Sequence, residues 1–334
     1  MDDVRIAVVG TGMADLACAR ELARADAKVC VFERARGPGG RLATRRLGDL
    51  AFDQGAQFVT ARSRSFLRYA QAAVRAGVLD AWRPRLMEDD RSWPTPIEDW
   101  WIGTPGMSAL VRPLARNLEI QTGVSVRELV PGQRGWELQT DSGRQNEVFR
   151  AVAVAIPAPQ AATLLGPHSR SFRHVAEVRM APCWTGMFAF EQPLDLGAEA
   201  RRWTQGPIAW AASDSSKPGR LRRPQCWVVH ASSSWSRAHL DVHAQEAAQL
   251  LLHAFAQALG RPLPPPAHAA AHRWRDALVE QPLGMPCVID DEISAGACGD
   301  WCIAPRVEAA YESGRALAYS ILSMVGLSAR MARR

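Results

Sequence analysis

VRIAVVGTGMADLACARELARADAKVCVFE, residues 4–33, is the stretch from which the fold of this chain can be inferred. A short apolar run, Val4–Val9, leads into the turn Gly10–Asp15, and a helical pattern then extends from Leu16 to Ala25. A second apolar run, Lys28–Phe32, follows. The pattern predicts a strand, turn, helix and strand in succession, which is the opening unit of a Rossmann-like α/β domain.

An acidic residue follows this unit at an informative distance. Glu33 lies 21 positions after Gly12, where dinucleotide-binding folds place the carboxylate that binds the ribose hydroxyls. Glycines at Gly10 and Gly12 would let the backbone of the turn, with Met13 and Ala14, approach a pyrophosphate at the helix N-terminus. The sequence therefore predicts an adenine dinucleotide as the ligand.

Later patterns divide into two groups. Two strands, Trp136–Thr140 and Val148–Ile156, and a strand-to-helix junction from Ile293 through a helix at Arg306–Met324 are predicted to complete the first domain. A second domain is predicted from strands rich in Trp and Val and one amphipathic helix. These are Thr185–Phe190, Ile208–Ala212, Gln225–His230, His272–Leu278 and the helix Val242–Leu259.

The chain is therefore expected to cross between two interleaved domains. The fold class is α/β, a Rossmann-like cofactor domain interleaved with a substrate domain of mixed antiparallel sheet plus helix. The expected divisions are 1–62, 104–165 and 287–326 for the cofactor domain, 63–103 and 166–286 for the substrate domain, and 327–334 for a basic tail.

Composition narrows the class of protein. With 47% apolar and 22% charged residues, the chain can bury a sizeable core. No apolar run is long enough to span a bilayer and no cleavable signal region follows Met1, so we expect a cytoplasmic protein with no membrane partner.

The arginines behind the net charge of +6 are dispersed apart from the tail Ser328–Arg334, so we expect no nucleic-acid partner. The seven cysteines lack metal-ligand spacing, and we expect no metal.

Four segments resemble a known family. ERARGPGGRLAT, residues 33–44, looks like the second FAD signature of the flavin amine-oxidase superfamily. Asp53–Phe58, His272–Arg275 and the pair Gly299–Cys302 with Arg306–Ala310 are similar to the renalase-like branch, including its bacterial members. The resemblance implies non-covalently bound FAD and a hydroxybenzoate-hydroxylase-like fold. Renalases oxidise misisomerised dihydronicotinamide dinucleotides and pass the electrons to dioxygen, so a reduced nicotinamide dinucleotide and dioxygen are the implied small-molecule partners.

The resemblance also implies roles for particular residues. The glycine pair and arginine of residues 33–44 would wrap the pyrophosphate, Asp300 would bind the ribityl chain, and Val126 would flank the adenine. The backbone near Arg306 and Val307 would face the pyrimidine oxygen of the flavin, with Gly55–Gln57 under the isoalloxazine. The implied FAD-binding residues are Gly10, Gly12, Met13, Ala14, Glu33, Arg34, Gly40, Arg41, Gly55, Ala56, Gln57, Val126, Asp300, Arg306 and Val307.

The implied chemistry needs little from side chains. A dihydropyridine loses hydride without a general base, so catalysis is assigned to the flavin, with the protein supplying orientation and a dry pocket. Amine oxidases of the superfamily set a lysine beside flavin N5, but the only lysines here, Lys28 and Lys217, lie at a strand start and in a polar turn, and neither is expected beside N5.

The candidate pocket walls are aromatic and polar, and each has a plainer interpretation. A nicotinamide would need a stacking surface and groups for its amide, ribose or phosphates, for which we select Gln57, Trp184, His230, Arg273 and Trp274. The two tryptophans could instead be core residues, and His230 a buried structural histidine. His239 and His243 have the spacing of a helical metal pair, but without a third ligand a solvated helix face is the preferred interpretation.

Asp15 departs from the pattern because it occupies the position of the third glycine of such a turn. Glycine at that position allows the helix and strand to pack closely beside the pyrophosphate. A carboxylate there would compete with the cofactor's phosphates for the positive helix end, so weaker FAD binding is predicted. Three hypotheses stay open: a renalase-like oxidase, an amine or other C–H oxidase of the same superfamily, and a non-catalytic relative whose FAD binding is impaired by Asp15. The substrate isomer, 2′-phosphate preference and oligomeric state are left open as well.

Overall fold

The computed structural model describes residues 4–89, 91–93 and 99–327. The basic tail Ser328–Arg334 that the sequence analysis singled out lies outside these described residues. In the described ranges, no helix has the length and apolar character needed to cross a membrane.

After the first strand and helix, the described residues form runs of three to five strands separated by helices. The strands are β1 (Arg5–Val9), β2 (Lys28–Glu33), β3 (Thr44–Leu47), β4 (Leu50–Asp53), β5 (Leu79–Trp82), β6 (Leu86–Glu88), β7 (Arg91–Trp93), β8 (Trp100–Gly103), β9 (Glu119–Thr122), β10 (Val126–Gly132), β11 (Gly135–Thr140), β12 (Gly143–Arg144), β13 (Ala151–Val154), β14 (Arg179–Phe190), β15 (Ala200–Arg202), β16 (Ile208–Ser213), β17 (Gln225–Ala231), β18 (His268–Gln281), β19 (Val288–Asp290) and β20 (Ala295–Ala297). The helices are α1 (Met13–Arg24), α2 (Arg64–Arg75), α3 (Arg112–Ala115), α4 (Ala158–Leu165), α5 (Ser233–Ala238), α6 (Ala244–Ala258), α7 (Asp300–Ile303) and α8 (Val307–Met324).

The first sheet has six strands in the order β19-β20-β13-β1-β2-β9. All neighbouring pairs run parallel except β19 and β20. Its central strands β13 and β1 are apolar and buried after Arg5, because α1 and α8 cover one face of this parallel sheet and α4 with strands β10 and β11 covers the other. Strands from the beginning, the middle and the end of the chain therefore form one cofactor-type sheet.

Helices α1 and α8 pack together on one face of this sheet. Gly314 of α8 lies so close to α1 that a Cβ atom there would be 2.0 Å from the carbonyl oxygen of Ala14. Only glycine allows this approach, which also brings the N-terminal turn of α1 near the C-terminal part of the chain. Burial of Cys18, Leu22 and Leu317 between the helices and the sheet stabilises the arrangement.

The second sheet has seven strands in the order β18-β14-β17-β16-β15-β6-β7. It is antiparallel except between β6 and β15. Side chains alternate between its faces. One face, with Phe188, Trp227 and Val229, packs with Leu251 and Phe255 of α6. The other face looks toward the hairpin β3–β4, where Phe52 packs on Met187 and Val228 of the sheet.

The predicted architecture agrees with the structure in its main elements. The first unit is β1, α1 and β2, and the predicted long helix and Trp-rich strands appear as α6, β14, β16, β17 and β18. Helix α1 begins three residues earlier than predicted, since Met13–Asp15 are helical as well. Strand β14 begins at Arg179 instead of Thr185, because β18 pairs with it along its whole length.

Candidate functional site

Functional side chains gather where the parallel strands of the first sheet end. Gly10 directly follows β1, Glu33 ends β2, and Asp300 begins α7 shortly after β20. Because the carboxyl ends of parallel strands lie at one edge of a sheet, these three residues share that edge. This is where open α/β sheets bind their ligands.

Two glycine segments, the turn with Gly10 and Gly12 and the turn with Gly39 and Gly40, contact each other at this edge. The amide of Gly39 donates a hydrogen bond of 3.0 Å to the carbonyl oxygen of Thr11. A Cβ atom on Gly40 would lie 3.3 Å from the Cα of Gly12, and Gly40 has a φ of +51°. The backbone is therefore bare of side chains here, as a close approach by a diphosphate requires.

Glu33 is held firmly at the end of β2. Its carboxylate accepts hydrogen bonds from the hydroxyl of Thr11 and from the amide of Ala35, the latter at 2.7 Å. The amide of Val124 donates to the Glu33 carbonyl at 2.9 Å, and β10 begins two residues later at Val126. Val126 thus lies near the carboxylate proposed for the ribose, and its contact with adenine stays a prediction.

Arg41 and Asp300 join two distant parts of the edge. The guanidinium donates to both carboxylate oxygens of Asp300, at 2.8 and 2.6 Å, and to the carbonyl of Ala277 at 3.1 Å. Such a bidentate pair fixes both side chains in position. Arg34, by contrast, is exposed at the start of the same segment.

The segment Gly55–Gln57 lies directly on the Arg41 backbone. The Ala56 amide donates to the Arg41 carbonyl at 2.9 Å, and a Cβ atom on Gly55 would be 2.0 Å from that oxygen. The side-chain amide of Gln57 donates to the carbonyls of Asp53 and Gly55. The predicted flavin-facing segment is therefore positioned by the same turn as the predicted pyrophosphate residues.

Arg306 and Val307 stand at the N-terminus of α8, as the sequence predicts. Glu308, which sequence analysis missed, is buried behind them and accepts hydrogen bonds from the amides of Arg62 and Ser63. Burial raises the pKa of Glu308, but the hydrogen bonds from Ser63 and Arg62 outweigh it and lower the pKa overall. Glu308 thereby fastens the start of α8 to the segment before α2.

These residues fit FAD in all but one position. Glycine backbone, a helix N-terminus, a ribose-type carboxylate and an arginine lie along a single edge, which is the donor set a flavin dinucleotide needs. The exception is Asp15, whose buried carboxylate accepts the amide hydrogen of Gly12 at 2.7 Å. Without Asp15, that amide would be one of the unpaired donors at the start of α1 that can bind a phosphate.

The second sheet presents a row of polar side chains toward Gln57. Cross-strand pairing places His272, Thr185, His230 and Trp210 side by side on β18, β14, β17 and β16. The Oγ1 of Thr185, the Nε2 of His230 and the Nε1 of Trp210 are buried and have no hydrogen-bond partner among the described residues. Burial, and next to it the charge of Lys217, lowers the pKa of His230 to about 4, so its imidazole is neutral at physiological pH.

The structure separates the five predicted pocket residues into two groups. Gln57, His230 and Trp274 lie on the side of the first domain, and the Trp274 indole donates to the carbonyl of Gln54 at 2.9 Å. Trp184 and Arg273 point to the opposite face of the sheet. Trp184 is in the core beside α6, and the Arg273 guanidinium lies 5.5 Å from its ring. Strand alternation is the reason, and the core interpretation fits Trp184.

Lys217 corrects the sequence analysis. The first part of the polar turn Ser213–Arg220 is buried, Gly219 is exposed, and the Lys217 side chain is fully buried. Its ammonium group donates to Asp53 at 3.0 Å and to the Gln57 side-chain oxygen at 3.3 Å, and it pairs with Asp214 at 2.5 Å. The sequence analysis did not expect Lys217 beside the flavin N5, and that expectation stays a prediction, but the turn folds back so that Lys217 contacts Gln57 of the segment predicted to face the flavin.

Lys217 belongs to a buried group of four charges, which we call the ion cluster: Asp53, Asp214, Lys217 and Arg220. Arg220 donates to Asp53 at 2.7 Å, and Asp53 also accepts from Thr44. Burial by itself raises the pKa of Asp53, but Lys217, Arg220 and the hydrogen bonds outweigh it and bring the pKa to about 2. The pKa of Asp214 is raised, because burial outweighs the attraction of Lys217.

Aromatic rings form a buried cluster that begins at Phe58, the residue after Gln57. Phe58 stacks on Trp100 with ring centroids 3.8 Å apart, and Trp210 lies 5.8 Å from Trp100. These rings pack with Trp82 in one cluster, which Trp210 connects to the polar row.

The histidine pair of the sequence is not a helical pair. His239 stacks on Trp235 after α5, and His243 is the residue before α6, so the two are not on a common helix face as proposed. A group of one thiol and two carboxylates, Cys30, Glu119 and Glu147, lies close together among the described residues. Arg5 already forms ion pairs with both glutamates of that group.

Two family descriptions match the chain. Residues 8–72 match a family described as NAD(P)-binding Rossmann-like domain. Residues 93–322 match a family described as flavin containing amine oxidoreductase. Together these ranges contain both glycine segments, the ion cluster and the start of α8.

Solved structures share the fold at low sequence identity. A putative protoporphyrinogen oxidase from Exiguobacterium sp. 255-15 has 15% identity and a TM-score of 0.77, over 96% of this chain and 99% of that one. A wild-type putrescine oxidase bound to putrescine has 12% identity and a TM-score of 0.69, over the same shares. These similarities confirm the α/β architecture with a Rossmann-like domain and a mixed-sheet domain.

Proposed function

This chain belongs to the flavin containing amine oxidoreductase family, and from that premise we propose that it oxidises a dihydronicotinamide dinucleotide by hydride transfer. It is an FAD-dependent oxidoreductase. FAD held by the glycine turns, Arg41 and the start of α8 would supply the hydride acceptor, and dioxygen would then take the two electrons, the proton of the hydride and one proton from water to leave as hydrogen peroxide. The C–H bond of the dihydropyridine breaks, and the ring leaves as the aromatic nicotinamide cation.

The observation that carries this proposal is the commitment of Lys217. Its ammonium group donates hydrogen bonds to Asp53 and to the Gln57 side-chain oxygen and also forms an ion pair with Asp214, and the side chain has no solvent exposure. A buried lysine held by three protein partners is poorly placed to hold a water beside a flavin. Hydride loss from a dihydropyridine needs no such water, so the arrangement supports that donor over an amine.

The neutral polar row supports the same substrate class. A carboxamide offers one acceptor oxygen and two N–H donors. Thr185, neutral His230 and Trp210 supply buried groups that lack partners within the described chain, and such groups gain most from a ligand that satisfies them. We propose that they orient the nicotinamide while the aromatic cluster excludes water, which lowers the entropic part of the barrier.

The carboxylates near Gln57 argue against a polyamine substrate. Asp53 and Asp214 are paired with Lys217 and Arg220, so neither offers a free negative charge to an ammonium group. Breaking a buried ion pair to bind such a cation is costly.

The test is anaerobic reduction of the FAD-loaded protein. Misisomerised dihydronicotinamide dinucleotides should bleach the flavin absorbance, with the ordinary reduced dinucleotide and putrescine run as comparison substrates. Bleaching by putrescine or a monoamine with none by any dihydronicotinamide would overturn the proposal.

Amine oxidation is the second candidate, favoured by the stacked rings of Phe58 and Trp100 and by the nearness of Lys217 to Gln57. An amine must be neutral to be oxidised, so its rate of flavin reduction would rise with pH. A dihydronicotinamide has no such requirement. The family match does not support the third hypothesis, an FAD-free binding protein.

A further inference from the structure

Asp15 has a carboxyl oxygen without a hydrogen-bond partner at the edge of the first sheet where Gly10, Glu33 and Asp300 lie, which we call the cofactor edge. The side chain is 3% exposed, and Oδ2 accepts the Gly12 amide hydrogen. Oδ1 has no hydrogen-bond partner within the residues described. A Cβ atom on Gly10 would lie 2.0 Å from Oδ1, so this oxygen lies against the bare turn of the first glycine segment.

The charges around Asp15 do not neutralise it. Strand β2 contributes Glu33, a second carboxylate, and the turn after β2 contributes Arg41. Cys18 of α1 and Cys298, before α7, also face it, and burial raises the pKa of both thiols well above its usual range, so they stay neutral. Among the described residues, Arg41 is the one cation whose charge lowers the pKa of Asp15. Its guanidinium is already bound to Asp300.

We propose that Asp15 is a further cofactor-binding residue, which carries a proton when FAD is bound and donates it from Oδ1 to the diphosphate. In this form Oδ2 keeps the Gly12 amide while Oδ1 gains the partner that it lacks. An ionised Asp15 would instead place a third negative group beside Glu33 and the doubly charged diphosphate. The inference rests on the cofactor and is independent of which substrate is oxidised.

Burial acts in the direction that the proposal needs. It raises the pKa of Asp15 well above its usual range, and the charge of Glu33 adds to the shift. A bound diphosphate is one more negative neighbour and would raise the pKa further. Between the pKa of the FAD-free protein and that of the complex, FAD affinity should therefore fall about tenfold for each unit that the pH rises. Below both values, affinity should not depend on pH.

The experiment measures FAD dissociation from the loaded protein. Wild type, Asp15→Asn and Asp15→Gly are diluted at a series of values between about pH 5 and about pH 9, and free FAD is quantified by its fluorescence. Wild type should release more FAD as the pH rises. Asp15→Asn keeps a neutral donor in the same place, so it should bind FAD at high pH as tightly as wild type does at low pH, without a slope. Asp15→Gly should also show no slope.

Each alternative result overturns the proposal. A flat wild-type profile, a wild-type slope preserved in Asp15→Asn, or loss of FAD from a folded Asp15→Asn would each do so. Circular dichroism at both ends of the pH range checks that the variants fold. If Asp15→Asn did not fold, Asp15→Gly and the carboxylic acid C=O band of FAD-loaded wild type in infrared difference spectra would decide the matter.

Discussion

Asp15 and Asp53 are buried to the same degree and differ in their partners. Asp53 contacts Lys217 and Arg220 and has its pKa lowered to about 2, whereas the pKa of Asp15 is raised well above its usual range. Burial opposes ionisation at both sites. The number of cations and hydrogen-bond donors within reach decides which carboxyl group keeps its charge.

The difference separates the two sides of the active site. On the substrate side, the ion cluster is balanced within the protein, with two positive and two negative side chains. On the proposed cofactor side, Asp15 is near the carboxylate of Glu33 and one cation, Arg41, which is paired with Asp300. The charges of the ion cluster are therefore neutralised within the protein, whereas Asp15 needs a bound proton or a ligand to satisfy its carboxyl group.

Removing one cation from the ion cluster should have the largest effect. Lys217→Met leaves two buried carboxylates with Arg220 alone, so the free energy of unfolding should fall by about 3–5 kcal/mol. Urea denaturation followed by tryptophan fluorescence measures it. The control is Asp214→Asn with Lys217→Met, which removes one charge of each sign and should lose less. Equal losses in the two proteins would mean that charge balance does not stabilise this region.

Acid should reveal the contribution of Asp53. Its pKa is lower in the folded than in the unfolded chain, so its stabilisation is present above about pH 4 and is lost as the pH falls toward about 2. The loss should amount to about 2 kcal/mol. Asp53→Asn with Lys217→Met should lack this loss. Asp214→Asn with Lys217→Met keeps Arg220 and the hydrogen bonds to Asp53 but not Lys217, so it should retain only part of the loss. Identical acid profiles of these two charge-matched variants would exclude Asp53 as the cause.

Asp15 should give a pH dependence in the other direction. Its folded-state pKa is raised, so the FAD-free wild type should lose stability as the pH rises from about 4, where the unfolded carboxyl begins to ionise. Asp15→Asn should therefore be more stable than wild type at about pH 8, with a smaller difference at about pH 4. Urea midpoints measure this, and Asp291→Asn, at an exposed carboxylate, is the matched control. A difference that shrinks with rising pH would contradict the raised pKa.

His230 should show the smallest effect. Since its imidazole is neutral, His230→Asn removes one neutral hydrogen bond to the proposed nicotinamide, worth about 1 kcal/mol or about fivefold in KM. The dependence of anaerobic flavin reduction on pH should stay unchanged between about pH 6 and about pH 8. Disappearance of a titration step in the variant would show that His230 is charged during the reaction.

The fold was largely predictable because its signals are local. Apolar periodicity over five to eighteen residues located β1, α1, β2, α6 and α8 to within a few residues. Strand β19, of three residues, escaped because it is formed by pairing with β20 and has little pattern of its own. The glycine segments were recognisable for a related reason, since backbone geometry demands glycine at particular positions.

The site was less predictable because its contacts are not local. Lys217 meets Asp53 and Gln57 across 164 and 160 positions of the chain, and a polar turn predicts exposure unless the tertiary structure is known. The one available signal for a special role of Lys217 was its residue type, since almost all basic residues of this chain are arginines. Trp184 and His230 were grouped by residue type, whereas the register between β14 and β17 puts them on opposite faces.

The position of β20 also sets the order in which the protein can mature. β1 and the glycine turn leave the ribosome well before β20, α7 and α8, which carry Asp300 and Val307. At about 5–20 residues per second, roughly 15–60 s separate the two ends of the cofactor edge. During that interval the nascent chain holds only half of the proposed dinucleotide site, so FAD should bind only after the later elements have joined the first sheet.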